Sequence, residues 1–275
     1  MKVQAVVALK ADYPLIMLLE VADLAKSTFF YHQARLDRPD PNHELKKAIT
    51  MVFSESKRRY GRRRIHAILL RQGRQVAKKT VLKMMRQLGL KCQVRKRRHN
   101  YLAYKGLSSI IAPNVLNRNF TAKAPNQKWV TDITDFQLHS GKVYLSPVID
   151  LFDRSVVAFT LGTSPNLSLA TASLEQAIST LQPDEHPIVH SDQGFQYQHQ
   201  YWRRALEQRG LTQSMSRRGN CLDNAVAECF FGHLKEELFD RSGNPLALMN
   251  EITEYIQWWN TTRIQTKLKG MSPAE

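Results

Sequence analysis

The sequence has few cysteines, no long apolar run and, near its middle, a long stretch without acidic residues. Cys92, Cys221 and Cys229 show no C-x-x-C spacing, which excludes a disulfide framework and a zinc ribbon and favours reduced thiols in a cytosolic protein. No window contains 18 uninterrupted apolar residues, which excludes a membrane-spanning helix. With 275 residues, 43% of them apolar, the chain is long enough for one large or two ordinary domains.

Positive charge is concentrated in the first half of the chain. Forty Lys and Arg residues against 24 Asp and Glu give a formal net charge of +16. Residues 1–124 carry about +20 and residues 125–275 about −4, and no acidic residue occurs from Ser56 through Thr131. Because a field of one sign destabilises a compact protein, this distribution predicts a polyanionic partner, nucleic acid. A membrane surface is the weaker alternative, since the basic residues are not confined to one amphipathic helix.

The first 100 residues have a helical pattern. Residues 1–40 predict a short helical segment, and residues 43–100 predict a basic, all-α DNA-binding domain of the helix-turn-helix type. Two apolar stripes at helical spacing, one through Ile65 and one through Val81, are separated by a turn at Gly73. Basic residues on these two predicted helices are expected to contact DNA: Arg62, Arg63, Arg64, Lys78, Lys79 and Lys83.

The second half of the chain has an α/β pattern. Residues 101–125 predict a linker, and residues 126–275 predict a five-stranded mixed sheet with flanking helices. The first strand is expected to run from Trp129 to Phe136. Pro147 argues against the second strand, which we retain with a local bulge. The last helix is expected to pack on the core through Ile252, Tyr255, Ile256 and Trp259.

Three acids stand where metal-dependent phosphoryl transfer needs them. Asp132 lies within the first predicted strand, Asp192 follows a short later strand, and Glu228 lies in a helix. Carboxylate oxygens suit Mg²⁺, and two ions roughly 3.5–4 Å apart serve displacement at phosphorus. Each acid alone has an ordinary structural explanation. Together, in one sheet domain beside a cationic one, they favour a metal site.

The helix that carries Glu228 presents a polar stripe that also includes Asn224 and Lys235. The basic loop before it contains Arg217 and Arg218, and we expect Asn224 and both arginines to contact DNA.

Other polar residues near these acids have less specific patterns. Asp135 falls on the opposite strand face from Asp132, which favours a solvent-exposed role. Asp150 lies near a strand end, where a structural role and an orienting role for the site both stay open. His186 and His190 lack the helical spacing of a metal-binding pair, so structural roles are favoured.

Several segments occur in an order that identifies a family resemblance. They are W-V-T-D-I-T, Y-L-S-P-V-I-D-L-F, H-S-D-Q-G, D-N-A-V-A-E-C-F-F-G-H-L-K and Y-I-Q-W-W-N-T-T-R. Over nearly its whole length the chain resembles insertion-sequence transposases with a DDE, retroviral-integrase-like core of RNase H-like fold. More narrowly, it resembles the second-frame (orfB) product of the third-numbered insertion-sequence family. The 35 residues between Asp192 and Glu228 match the spacing of that family.

The resemblance implies a DNA transposase that performs metal-dependent strand cleavage and strand transfer. It implies that Asp132, Asp192 and Glu228 bind two Mg²⁺ ions, with Mn²⁺ able to substitute, and that Lys235 holds DNA near the site. The implied partners are the terminal inverted repeats and target DNA, an upstream first-frame protein or frameshift fusion, and further copies of the chain in a synaptic complex. The implied location is the bacterial cytoplasm, in association with the nucleoid.

Two alternatives remain open from the sequence. One is a non-catalytic DNA-binding repressor of transposition derived from a truncated element. The other is an RNase H-like nuclease without strand transfer.

Overall fold

Among the residues that the structure describes, six short helices precede the sheet. The computed structural model describes residues 2–34, 36, 40–92, 111–217, 221–238 and 243–275. The first three helices, α1 (Lys2–Leu9), α2 (Leu15–Val21) and α3 (Lys26–Gln33), share a small core of Val6, Leu19 and Phe29. The next three are α4 (His43–Glu55), α5 (Arg62–Arg71) and α6 (Lys78–Gln87).

The helices α4, α5 and α6 form a second unit with its own core. Ile49, Ile65, Leu69 and Val81 are fully buried there. After α5 the chain turns at Gly73, whose φ of 78° lies in the left-handed region that glycine adopts without steric cost. The apolar stripes therefore produce the helical pair that the sequence predicts, and they leave the basic residues between them on the outer faces.

The sheet has six strands: β1 (Lys128–Thr131), β2 (Thr134–Leu138), β3 (Gly141–Asp150), β4 (Val156–Gly162), β5 (Ile188–Ser191) and β6 (Thr212–Met215). Strands β1 and β2 both pair antiparallel with β3, and β4 also pairs antiparallel with β3. Strand β1 then pairs parallel with β5, and β5 pairs parallel with β6. The sheet is thus mixed, as the sequence predicts.

The expectation of five strands was wrong, because the segment from Trp129 to Phe136 forms two strands. The ladder with β3 stops after Thr131 and resumes at Thr134, on the same register. Pro147 lies inside β3, so the strand that it argued against is present. A register shift between β3 and β4 occurs beside it, at Val148 and Ile149, as the predicted bulge requires.

Helices cover both faces of the sheet. Trp129 of β1 faces a core shared with α7 (Leu167–Ser179) and α9 (Gln200–Gln208), which follows the short α8 (Phe195–Gln198). The next residue, Val130, faces the core shared with α10 (Ala225–Glu237) and α11 (Pro245–Thr261). The residues expected to bury α11 are confirmed as buried: Ile252, Tyr255, Ile256 and Trp259. No helix in the described ranges has the length and apolar character needed to cross a lipid bilayer.

A buried carboxylate joins the helix-turn-helix-like unit to the sheet domain. Glu237, at the end of α10, is 1% exposed and accepts hydrogen bonds from Arg263 Nε and from the Tyr255 hydroxyl, both at 2.9 Å. Arg64 of α5 lies 3.4 Å from the same carboxylate, and Arg59 Nε donates to the Glu237 carbonyl at 2.9 Å. Burial alone would raise the pKa of Glu237, but the two arginines at its carboxylate and the Tyr255 hydroxyl hold it below its ordinary value.

Replacing this carboxylate should destabilise the protein strongly. Glu237→Ala leaves the buried Arg263 guanidinium without its partner, which costs about 3–5 kcal/mol of unfolding free energy. Urea denaturation at pH 7 measures the change. Because the pKa of Glu237 is lowered, its contribution is present above pH 4.5 and is lost as the pH falls below that value.

Glu236→Ala, on the same helix, is the matched control, and we expect it to cost less than about 1 kcal/mol. If the two substitutions lowered the unfolding free energy equally, Glu237 would not be the residue that links the helix-turn-helix-like unit to the sheet domain.

Candidate active site at the edge of the sheet

The register of β1 and β5 places two acids side by side. Val130 pairs with His190 in parallel. Two residues further along each chain, the same register sets Asp132 beside Asp192, each directly beyond the end of its strand. Neighbouring strands lie about 4.8 Å apart, and the carboxyl ends of parallel strands are where α/β sheets bind ligands. The two acids therefore share one edge of the sheet, although the sequence pattern placed Asp132 inside its strand and not at the end of it.

Local hydrogen bonds fix both carboxylates. Asp132 Oδ1 accepts from the Ile133 backbone N–H at 2.7 Å, and Asp192 Oδ1 accepts from the Gly194 N–H at 2.8 Å. A Cβ atom at Gly194 would lie 3.0 Å from Asp192 Oδ1 and 3.3 Å from the Tyr197 ring. Glycine at this position thus lets the turn close tightly over the Asp192 carboxylate.

Glu228 and Lys235 lie on α10 above the same edge. The buried residues Ala227, Phe231 and Leu234 hold this helix against the sheet, and Glu228 and Lys235 are both half-buried beside them. Lys235 Nζ lies 5.4 Å from the centre of the Phe136 ring, above β2. The predicted polar stripe of the helix therefore faces the side of the sheet where the two aspartates stand.

The acids repel one another electrostatically. Burial raises the pKa of Asp132 well above its usual value, and the charges of Asp192 and Glu228 raise it further, against the opposing charge of Lys235. Burial also raises the pKa values of Asp192 and Glu228. A divalent cation would relieve this repulsion, and carboxylate oxygens are the donor set that Mg²⁺ prefers. The chemistry of the donors thus fits the metal.

The three acids do not form a closed metal cage in this structure. Within the described ranges, no three carboxylate, imidazole or thiol groups lie close enough together to hold a metal ion as they stand. The structure brings Asp132 and Asp192 into register and sets Glu228 near enough for its charge to act on Asp132.

Asp223 is a structural acid that the sequence did not single out. Its carboxylate is fully buried and accepts from Arg118 Nε at 2.7 Å and Arg217 Nε at 2.9 Å, as well as from the Asn114 amide at 3.1 Å. The Arg217 hydrogen bond is the main reason why the pKa of Asp223 is far below its usual range. Asp223 thereby ties the segment before the sheet to the turn that leads into α10. No local pattern marks it, because two of its three partners lie more than 100 residues away.

Tyr197 is a second residue without a sequence signal. It is 1% exposed, its ring packs edge-on against Trp202, and its hydroxyl is a buried polar group without a hydrogen-bond partner among the described atoms. Burial, and then the charges of Asp132 and Asp192, raise the pKa of Tyr197 well above its usual value. The hydroxyl therefore stays protonated in the neighbourhood of both aspartates.

The remaining polar residues near the sheet have structural partners. His190 is buried between the Ser214 and Ser216 hydroxyls at 2.8 and 3.0 Å, and burial lowers its pKa to about 4. Asp150 accepts from the Asn126 and Phe152 backbone N–H groups and so anchors two turns. Asp135 forms an ion pair with Lys142 at 3.2 Å, and His186 Nδ1 lies 3.3 Å from the Arg209 carbonyl oxygen.

The residues expected to contact DNA differ in exposure and in pairing. Those exposed on the helix-turn-helix-like unit are Arg62, Arg63, Lys78, Lys79 and Lys83. Arg217 is also exposed but is paired with Asp223, and the half-buried Arg64 is paired with Glu237. Asn224 is 4% exposed, with both amide atoms buried and without a partner among the described residues, and Arg218 lies outside the described residues.

Three protein families match the chain. An HTH-like domain matches residues 40–98, and an integrase core domain matches residues 122–221. A second integrase core domain family matches residues 228–275. Asp132 and Asp192 lie in the first integrase match, and Glu228 opens the second.

Curated relatives of the chain include transposases of insertion sequences. The chain is 46% identical over 97% of its length to the putative transposase InsK for insertion sequence element IS150 of Escherichia coli, and it covers 94% of that protein. It is 43% identical over its full length to a probable transposase for insertion sequence element IS1353 of Shigella flexneri, of which it spans 54%. It is 31% identical over 83% of its length to the transposase InsF for insertion sequence IS3A of Escherichia coli, of which it covers 80%.

Solved structures that resemble the chain include an integrase core domain and an intasome. The catalytic core domain of HTLV-2 integrase in complex with magnesium matches 55% of this chain and 96% of its own length, at 20% identity and a TM-score of 0.44. An intasome of simian T-cell lymphotropic virus, in complex with a phosphatase regulatory subunit, matches 82% of this chain and 73% of its own, at 20% identity and a TM-score of 0.49.

Removing one charge of the aspartate pair should stabilise the metal-free protein. Because the pKa values of Asp132 and Asp192 are raised, their ionised forms oppose folding at neutral pH. In the presence of a chelator at pH 7, we expect Asp132→Asn and Asp192→Asn each to raise the thermal midpoint by about 2–4 °C. The gain should shrink as the pH falls toward 4, where the wild-type carboxyls become protonated in both states.

Asp135→Asn is the control for this measurement, since Asp135 is paired with Lys142 and stands apart from the acid pair. A lower midpoint for both site variants at pH 7 would contradict the repulsion inferred from the structure.

Proposed function

Since the chain belongs to the transposases of insertion sequences, we propose that Asp132, Asp192 and Glu228 are the carboxylates with which it cleaves and joins DNA strands. Its activity is DNA transposition by an integrase core, with a helix-turn-helix-like domain in front of it. The observation that carries the residue assignment is the parallel register of β1 and β5, which aligns Asp132 with Asp192. None of the matching families or relatives favours the non-catalytic repressor.

We propose that the three carboxylates hold two Mg²⁺ ions, for which Mn²⁺ substitutes. The integrase core uses divalent metal, and when bound the ions activate the attacking oxygen and stabilise the leaving oxygen. The chain's own part is to hold Asp132 and Asp192 at adjacent strand ends and Glu228 on a helix packed on the sheet. Gly194 and Ile133 supply the N–H groups that orient the two aspartates.

Lys235 is the residue that we propose holds DNA close to the reacting phosphate. Its ammonium acts electrostatically on Asp132, two turns of α10 beyond Glu228. An ammonium group beside the carboxylates can bind a phosphate without itself being a metal ligand.

The exposed faces of α5 and α6 form the proposed DNA-binding surface. Its basic residues are Arg62, Arg63, Lys78, Lys79 and Lys83. Arg217 and Arg64 have internal acidic partners, so their proposed DNA contact uses only the donors that these partners leave free. For Asn224 and Arg218 the proposal rests on their place before the catalytic helix.

We propose that the chain is divided into four parts and acts in a complex with DNA and with further copies of itself. The parts are the helical segment 1–40, the DNA-binding domain 43–100, the linker 101–125 and the catalytic core 126–275. Synapsis of two element ends needs more than one copy of the chain, together with terminal inverted repeats and target DNA. An upstream first-frame protein, separate or as a frameshift fusion, would supply further DNA contacts. The bacterial cytoplasm, at the nucleoid, is where such substrates occur.

Neutralising any of the three acids should abolish catalysis and spare DNA binding. We expect Asp132→Asn, Asp192→Asn and Glu228→Gln each to lower the cleavage rate at least about 10³-fold, since metal coordination is worth several kcal/mol in the transition state. The measurement is cleavage of labelled element ends with Mg²⁺ or Mn²⁺, together with joining of a pre-cut 3′-hydroxyl end. DNA affinity is measured in parallel.

Asp135→Asn and Glu236→Gln are the controls, and both should cleave at close to the wild-type rate. A site variant that retains wild-type cleavage would remove that acid from the catalytic set. Cleavage without any joined product would favour a nuclease over a transposase.

DNA affinity should depend steeply on salt through the α5–α6 surface. The logarithm of the binding constant is expected to fall by about 0.9 per log unit of salt for each phosphate neutralised. Lys78→Ala with Lys79→Ala should make this slope shallower by about 1 for each phosphate that is no longer neutralised. Lys10→Ala, an exposed lysine outside the surface, is the control. An affinity that is constant between about 50 and 200 mM salt would contradict an electrostatic interface.

A further inference from the structure

Pro147 of β3 stands directly opposite Asp132. Strand β3 pairs Val148 with Thr131 of β1 and Leu145 with Thr134 of β2, on one continuous register. The same register sets Pro147 across from Asp132, in the interval where the ladder is interrupted. The break in the ladder therefore includes the proposed catalytic aspartate and the proline opposite it.

The missing N–H of Pro147 accounts for the break. Leu151 N–H donates to the Lys128 carbonyl, so the polar groups of Leu151 face the β1 side of β3. Strand residues alternate, so the backbone of Ile149 and of position 147 faces the same side. In an uninterrupted ladder, the residue at 147 would donate its N–H to the Asp132 carbonyl. Proline has no N–H to donate, and the ladder stops there.

The opposite edge of β3 keeps its pairing at this position. Pro147 pairs with Phe159 of β4, and the residues before and after it, Ser146 and Val148, also pair with β4. Pro147 is buried, and the register shift with β4 begins only at Val148 and Ile149. The interruption is thus confined to the side of β3 that faces Asp132, and β3 itself remains a continuous strand.

The break changes what Asp132 can do. Directly beyond the end of β1, the carboxylate of Asp132 accepts the N–H of the next residue, Ile133, at 2.7 Å. In a continuous strand the Ile133 N–H would point sideways within the plane of the sheet, and the Asp132 side chain would stand perpendicular to that plane. The orientation of the carboxylate thus depends on the interruption.

We propose that Pro147 is a positioning residue for Asp132: by withholding a backbone hydrogen bond, it ends β1 one residue early and lets the carboxylate turn toward Asp192. This role rests on the proposed catalytic function of Asp132. It predicts an unusual combination of effects, in which restoring the hydrogen bond strengthens the sheet and weakens catalysis.

The first test restores the donor with Pro147→Val and Pro147→Ala. We expect the amide at position 147 to be protected from hydrogen exchange, because it now bonds to the Asp132 carbonyl, and the thermal midpoint not to fall. Cleavage of element ends should fall at least tenfold, and half-maximal cleavage should need more Mg²⁺. An amide at 147 that exchanges as fast as a solvent-exposed one would overturn the proposal.

The second test isolates the N–H. The variant carries the α-hydroxy acid analogue of valine at position 147, which places an ester bond in the backbone. It differs from Pro147→Val mainly in having an oxygen atom in place of the backbone N–H. We expect it to cleave at least tenfold faster than Pro147→Val. Equal loss of cleavage in the two variants would overturn the proposal, since the ring and not the missing donor would then be decisive.

The backbone ladder at Pro147 and the catalytic role of Asp132 can be tested separately. Hydrogen exchange at position 147 needs no activity, so it tests the ladder even if the catalytic assignment is wrong. Wild-type cleavage by Asp132→Asn would contradict the catalytic assignment and leave the exchange result standing.

Discussion

The parallel pairing of β1 with β5 is the constraint on which the candidate site depends. Side chains alternate between the faces of a strand, so a slip of one residue would send Asp132 and Asp192 to opposite faces of the sheet. Trp129 and Val130 prevent the slip, because each is fully buried in a different core. The packing of Trp129 and Val130 thereby holds the Asp132 and Asp192 carboxylates close together. The stability of the sheet offsets the electrostatic repulsion between them.

A similar constraint acts on the unit that carries the proposed DNA-binding surface. Its exposed cations repel one another, yet α5 is held against the sheet domain by the buried Glu237 and its arginine partners. The C-terminal segment takes part as well, since Ile264 packs in the core of the helix-turn-helix-like unit. The cationic surface and the acidic site thus belong to one connected framework, which matches an enzyme that must hold DNA while it cuts.

Much of this arrangement could be predicted from the sequence, and the rest could not for identifiable reasons. Periodicity and turn residues identified the helical pair and the strands. They placed Asp192 directly after a short strand, but they placed Asp132 inside a strand and not at its end. The break at Asp132 was missed because its cause, Pro147, lies fifteen residues away and acts only through the register of a paired strand. Arg64 and Arg217 looked like free cations because their buried partners, Glu237 and Asp223, become neighbours only on folding.

The most direct test of the central claim is the anomalous diffraction of Mn²⁺ bound to the protein with its DNA ends. The account predicts manganese peaks within coordination distance of the carboxylates of Asp132 and Asp192, with Glu228 completing the second ion. Manganese bound elsewhere, or an occupied metal site that excludes Asp132, would contradict it.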